Sequence, residues 1–319
     1  MSNALTKDRK PSFMGVTRAY EKISAVLPPS PIQSCDIAGR TVWCKAESLQ
    51  PIGAFKLRGA WHRLTDLSDT EKARGVVAFS SGNHAQGVAW AAARLGVSAT
   101  IVMPNDAPGV KVDRTRALGA DIVFYDRMTE DRISIAARLA DIRGATIVPP
   151  FDDPWIIEGQ GSTGLEARDQ LGFDPDMIVS PCGGGGLISG LALALPEARV
   201  VFGEPEGWDD MCSSLVHGEI VPVGPNPPAT ACDALQTLRV SPLTFEVLIA
   251  RSAQGFAVSD SEVGAAMKFA HEKMGLVVEP GGAAGLAVLL SGKVEPGERT
   301  LVVLSGGNVE LTVFERMIS

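Results

Sequence analysis

The sequence predicts an α/β protein of two lobes, each an open, mostly parallel sheet flanked by helices. Three observations carry the prediction. Short apolar runs alternate with amphipathic helical stretches from residue 75 onward. Nearly every apolar run ends in glycine or a polar turn. The chain, at 319 residues, is long enough to divide its core between two lobes. Open parallel sheets bind ligands beyond the carboxyl ends of their strands, so those turns are where chemistry is to be sought.

Taken in order, residues 16–27 read as a helix closed by Pro28 and Pro29. Residues 41–45 form a short strand, and residues 59–67 an amphipathic helix. The alternation then sets in. Strands at 75–79, 99–103, 121–125 and 146–148 are interleaved with helices through Leu95, at 111–118 and at 131–142. It resumes with strands at 177–179, 199–202 and 300–304 and a helix at 187–195. Seams at Pro149-Pro150 and at 172–175 divide the chain into one lobe of residues 1–72 and 152–319 and a smaller one of residues 73–151.

The formal charge is −8 without a dense Lys/Arg cluster, which argues against nucleic acid and against an anionic membrane as partners. Five cysteines (Cys35, Cys44, Cys182, Cys212, Cys232) lack metal-ligand spacing and read as the reduced thiols of a cytoplasmic protein. Residues 1–11 are polar, with Lys7, Asp8, Arg9 and Lys10 and no apolar core of a signal peptide. No run reaches membrane-spanning length.

The stretch Gly53-Ala54-Phe55-Lys56-Leu57-Arg58-Gly59-Ala60 sets one lysine between apolar neighbours. Burial of an ammonium disfavours its charged form, and a free amine near neutral pH can form a Schiff base with a carbonyl. The same stretch also fits a surface lysine opening a helix. Gly183, Gly184, Gly185 and Gly186 stand between a strand and a helix, where backbone amides can close on a phosphate. Ile188 occupies the third glycine position of the dinucleotide fingerprint, and a P-loop lysine is missing. The phosphate therefore belongs to something other than a dinucleotide or ATP. Ser80-Ser81-Gly82-Asn83-His84-Ala85-Gln86-Gly87 and Ser305-Gly306-Gly307-Asn308 are further polar turns at strand ends, suited to capping a helix or to receiving a carboxylate.

Together with Glu279-Pro280-Gly281-Gly282-Ala283-Ala284-Gly285, these motifs resemble the pyridoxal-phosphate enzymes of the tryptophan-synthase β fold type, fold type II. Within that group they are most similar to the threonine/serine dehydratases and serine racemase, in their short form without a regulatory domain. The resemblance runs in family order over roughly residues 15–315. It implies Lys56 as the Schiff-base lysine with Phe55 beside the ring, and Asn83 at the ring hydroxyl. The four glycines 183–186 would take the phosphate, and Ser305 the pyridine nitrogen. Ser80, Ser81, His84 and Arg132 would face the substrate, the small lobe closing over it. Glu204, Asp210 and the carbonyl of Trp208 would match the family's divalent-cation site, with oxygen donors suited to Mg²⁺ or Ca²⁺. The resemblance also implies a homodimer or higher homo-oligomer.

The implied reaction is elimination of the β-hydroxyl from L-threonine or L-serine, giving 2-oxobutanoate or pyruvate plus ammonia. Three departures keep neighbouring activities in view. Ala54 stands where many relatives have serine, and Asp233-Ala234 where Asp-Gly is usual. Ser81 stands where many threonine dehydratases have alanine and the racemases have a catalytic serine. Serine racemisation and 3-hydroxyaspartate dehydration are the alternatives, and an inactive ligand-binding homologue a remote third.

Overall fold

The computed structural model describes residues 9–107 and 109–319. The reading of residues 1–8, including Lys7 and Asp8, lies outside the described residues. In chain order the elements are α1 (Phe13–Ser24), β1 (Ile32–Ile37), β2 (Arg40–Ala46), α2 (Lys56–Thr65), α3 (Asp69–Arg74), β3 (Val76–Phe79), α4 (Asn83–Leu95), β4 (Ala99–Pro104), α5 (Gly109–Ala117) and β5 (Asp121–Tyr125). They continue as α6 (Arg132–Arg143), β6 (Thr146–Ile147), α7 (Pro154–Leu171), β7 (Met177–Pro181), α8 (Gly186–Ala194), β8 (Arg199–Pro205), α9 (Asp210–His217), α10 (Pro242–Ala250), β9 (Gln254–Val258), α11 (Asp260–Met274), α12 (Pro280–Leu290), β10 (Thr300–Leu304) and α13 (Leu311–Ile318).

Two sheets result. One runs β1-β2-β10-β7-β8-β9, parallel except for the antiparallel edge pair β1–β2; the other runs β5-β4-β3-β6 and is parallel throughout. The strands β7 and β10 are fully buried, as a sheet covered on both faces requires.

Several boundaries differ from the sequence reading. The first helix begins at Phe13, because the Ser12 side chain accepts from the Gly15 amide and caps it. Helix α2 begins at Lys56 and not at residue 59, which puts the lysine on the first turn of a helix. The sequence reading does not contain β1, α3, α7, α9, β9 or the helices α10 to α13; β1 and α7 have a clear physical reason. The β1 sequence, IQSCDI, is half polar because it is an edge strand. Helix α7 carries Gly159, Gly161 and Gly164, which lower helix propensity but permit close packing. A Cβ on Gly159 would lie 2.5 Å from the Cα of Gly59, and one on Gly161 2.5 Å from the carbonyl oxygen of Gly190. Three helices can therefore approach at backbone distance, and α2 is pinned by that packing.

A second clamp holds α2. Arg58, fully buried, donates to both carboxylate oxygens of Glu47 (2.8 Å each) and to both of Glu166 (2.7 and 2.9 Å). Lys45, also fully buried, joins Glu166 and the carbonyl of Ser30. Burial alone would raise the pKa of Glu166, but Arg58 and Lys45 hold it below the usual carboxylate range. A buried charge in this arrangement is tolerable only because each has its opposite and its hydrogen bonds.

Candidate active site

Strands from both sheets end at one cavity. Its lining comes from the lysine stretch, the turn after β3, the glycine turn after β7, the loop before α7 and the end of β10. The site thus lies beyond the carboxyl ends of the strands, where open α/β sheets place their ligands.

The lysine stretch is stapled to the end of β10. The Phe55 amide donates to the Ser305 carbonyl at 3.1 Å, and the Gly307 amide to the Gly53 carbonyl at 2.8 Å. Gly53 has φ +71, and a Cβ there would meet the Asn308 side chain at 2.5 Å, so this turn needs glycine. The consequence is that Lys56 emerges beside Ser305. Its Nζ donates to the Pro150 carbonyl at 2.8 Å and lies 5.1 Å from the Phe55 ring centre. Burial lowers its pKa to about 8, with no carboxylate to oppose the shift.

The glycine turn is shaped by contact as well as by freedom. A Cβ on Gly184 would lie 2.3 Å from the Phe151 ring, and Gly185 sits at φ +83, where L side chains are strained. Gly186 then opens α8, whose first amides have no partner within the helix. A bare, amide-lined cradle at a helix N-terminus suits a phosphate. Lys56 and the polar turn after β3 line the same cavity.

Asn83 opens α4 and has both ends of its amide engaged. Its Nδ2 donates to Oε1 of Glu279 at 2.6 Å, and its Oδ1 accepts from Asn308 at 2.7 Å. Asn308 also donates to the Ile52 carbonyl and accepts from Arg114 of α5. Glu279 is a wall residue to which the sequence reading gave no role. Burial, then the charge of Asp233, raises its pKa to about 7. The available signal was a single acid standing before Pro280 in an otherwise apolar, glycine-rich run.

Ser80, Ser81 and His84 line the cavity. His84 does not serve a carboxylate through a charged ring. Its Nε2 pairs with the Val148 carbonyl at 2.9 Å, and burial together with the Lys56 charge lowers its pKa to about 3. The imidazole is neutral, so what this turn offers an anion is hydroxyls and the free amides opening α4. Arg132 opens α6 at the cavity rim, its guanidinium 5.7 Å from the Phe79 ring centre, without a carboxylate within salt-bridge distance among the described residues. Lys111, by contrast, is paired with Asp233 at the same mouth.

The acids of the expected cation site lie away from this cavity. Glu204, fully buried, accepts from the amides of Met211 and Cys212 at 3.2 and 2.8 Å. Asp210 is buried with neither carboxylate oxygen hydrogen-bonded. Burial, reinforced in Glu204 by Asp210, raises the two to about 8 and about 7. Trp208 lies between them in sequence, its indole N–H bound to the Pro228 carbonyl. Among the described residues no group of three or more His, Cys, Asp and Glu side chains is placed to hold a metal.

The chain has relatives over almost its whole length. The family model described as "Pyridoxal-phosphate dependent enzyme" matches residues 24–306. The chain is 39% identical over 318 residues to the L-threo-3-hydroxyaspartate ammonia-lyase of Saccharomyces cerevisiae, covering 97% of each. Among solved structures, maize serine racemase superposes with a TM-score of 0.90 at 34% identity, covering 97% of each chain. A T.th. threonine deaminase superposes with a TM-score of 0.86 at 37% identity, covering 94% of this chain and 99% of that one.

Proposed function

The chain belongs to the family of pyridoxal-phosphate dependent enzymes, and on that premise we propose that it is an ammonia-lyase of small β-hydroxy-α-amino acids. The observation that carries the reading is Lys56: a half-buried lysine whose amine is lowered to a pKa of about 8 by desolvation, lining one cavity with a bare glycine cradle. The residues present fit the cofactor. Gly183 to Gly186 would hold its phosphate, Asn83 its ring hydroxyl and Ser305 its pyridine nitrogen, with Lys56 joined to its aldehyde. When bound, the cofactor supplies an electron sink for the Cα carbanion.

The protein's own part is positioning and proton transfer. The amides opening α4 and the hydroxyls of Ser80 and Ser81 orient the substrate carboxylate. Lys56 would accept the α-proton at Nζ, a role its lowered pKa suits. The β-hydroxyl departs as water once protonated, and hydrolysis of the released enamine yields a keto acid and ammonia. Closure of the sheet formed by β3 to β6 over the cavity would exclude water.

A second reading is 3-hydroxyaspartate as substrate. It is favoured by Arg132, a cation on the cavity rim without a salt bridge among the described residues and able to take a second carboxylate, and by the yeast relative's activity. Racemisation is the third, with Ser81 as acid and base on the opposite face of the substrate from Lys56. The Asp210 carboxylate, buried beside Glu204 with no well-formed hydrogen bond among the described residues, further supports a divalent cation held by Glu204, Asp210 and the Trp208 carbonyl. Five free thiols support a reducing compartment such as the cytoplasm.

The test is product analysis of cofactor-loaded protein given L-threonine, L-serine and L-threo-3-hydroxyaspartate. Keto acid from threonine or serine with little D-isomer is the expected result. Turnover confined to hydroxyaspartate, with KM raised ~10–100-fold in Arg132→Ala, selects the second reading. Abundant D-serine, lost in Ser81→Ala, selects the third.

A further inference from the structure

Two thiols outside the active site are brought together by the edge of the large sheet. Cys35 lies on β1 and Cys44 on β2, in register positions Cys35↔Val42 and Gln33↔Cys44. The two are diagonal neighbours on one face of the hairpin, and their sulfurs are 3.8 Å apart. Their surroundings differ. Cys44 is fully buried in the core under α11 and α12, whereas Cys35 is half-buried at the edge of that core. Either thiol can donate to the other, and the Cys35 thiol also reaches the Val42 carbonyl at 3.8 Å; with Cys44 as the donor, the pKa of Cys35 is lowered and that of Cys44 raised. Burial pushes the other three thiols up, Cys232 to about 12. A thiolate-prone, reachable sulfur next to a second thiol is the arrangement that oxidant-sensitive cysteines use.

We propose that Cys35 and Cys44 are a peroxide-modified thiol pair, with Cys35 oxidised first and Cys44 resolving it to a disulfide. In the first step the Cys35 thiolate takes one oxygen from hydrogen peroxide, giving a sulfenic acid and hydroxide. In the second, the Cys44 sulfur bonds to the Cys35 sulfur, and the sulfenic hydroxyl leaves with the Cys44 thiol proton as water. One peroxide is reduced and two thiols are oxidised. Closure from 3.8 Å to a bond of ~2.05 Å requires a local shift of the strands. Strand β1 can make it because it has a single neighbour, β2, and turns into it through Ala38 and Gly39 at positive φ. Diagonal pairing sets the backbones wider apart than an unstrained disulfide prefers, so the bond is readily reduced again. Strand β2 runs on into Glu47, the buried partner of Arg58, which places the modification on the support of α2 and not in the cavity.

Trypsin cuts after Lys22, Arg40 and Lys45, leaving Cys35 and Cys44 on separate peptides, 23–40 and 41–45. Cofactor-loaded protein treated with hydrogen peroxide and alkylated is expected to yield the joined pair, about two mass units below the sum of its reduced parts. Dithiothreitol should separate it. In Cys44→Ser, dimedone should label Cys35; in Cys35→Ser, neither the joined pair nor a label at Cys44 should form. The proposal fails if Cys182, Cys212 or Cys232 oxidises before Cys35. It also fails if Cys35 is found bonded chiefly to another molecule on non-reducing gels, or if Cys35 stays unlabelled in Cys44→Ser.

Discussion

The Nδ2 of Asn83 donates to Oε1 of Glu279 at 2.6 Å, joining the first turn of α4 to the residue before α12 across the cavity wall. Asn308 accepts from Arg114 on the other side of the same link. The two sheets therefore meet at the cavity through side-chain amides whose orientation is settled before any ligand arrives.

Glu279 makes stability depend on pH. Its pKa is raised from 4.5 to about 7, so the folded cofactor-free protein keeps a proton that the unfolded chain has lost across that window. The contribution is complete below pH 4.5 and is lost as pH rises towards 7, amounting to on the order of 3 kcal/mol. Glu279→Gln should remove this part of the slope and be the more stable protein at pH 8. Melting temperature against pH for the two cofactor-free proteins checks it; parallel curves would refute it.

Lys56 should react with added cofactor according to its free-amine fraction. With a pKa of about 8 that fraction is about half at pH 8, far above that of an ordinary lysine. The rate at which absorbance near 420 nm grows should rise through about pH 8 and level above it (roughly, for a lysine Schiff base). Lys56→Ala should show no such band at any pH. A wild-type rate still climbing at pH 10 would put the lysine in water.

Arg58 holds two buried carboxylates. Arg58→Met should cost about 3–5 kcal/mol of unfolding free energy, because Glu166 keeps Lys45 but Glu47 is left with the Ser30 hydroxyl and no cation in contact among the described residues. Urea titration measures it. The paired replacement Arg58→Met with Glu47→Gln should recover part of the loss.

Glu204 and Asp210 should bind a divalent cation only when deprotonated. Mg²⁺ at about a hundred times its dissociation constant is expected to add about 2.7 kcal/mol at pH 8. The gain should grow above pH 8 and shrink as pH falls through 8 and 7, the raised pKa values of Glu204 and Asp210. Asp210→Asn should abolish it. A cation-induced rise in melting temperature that survives this substitution would locate the ion elsewhere.

Much of the site is legible in the amino-acid order because its parts are local. A strand running into glycine, a lysine among apolar residues and a serine at the end of a buried strand each state their chemistry within a few residues. Lys56, Asn83, the four glycines and Ser305 line one cavity. Helix α7 escaped notice because its glycines lower local propensity, and their purpose is visible only in the helices they let approach. The edge strand β1 escaped because half-polar strands carry a weak periodic signal.

The sequence by itself determined the alternation of strands and helices, the turns at the strand ends and the family of chemistry, since each depends on residues near one another in the chain. Tertiary structure alone decided which turns share a wall, that Glu279 holds Asn83 from 196 residues away, and that His84 is neutral. It also decided that Cys35 and Cys44, unremarkable in the sequence, lie sulfur to sulfur. Those outcomes rest on desolvation and on contacts between distant segments, and neither exists until the two sheets have packed.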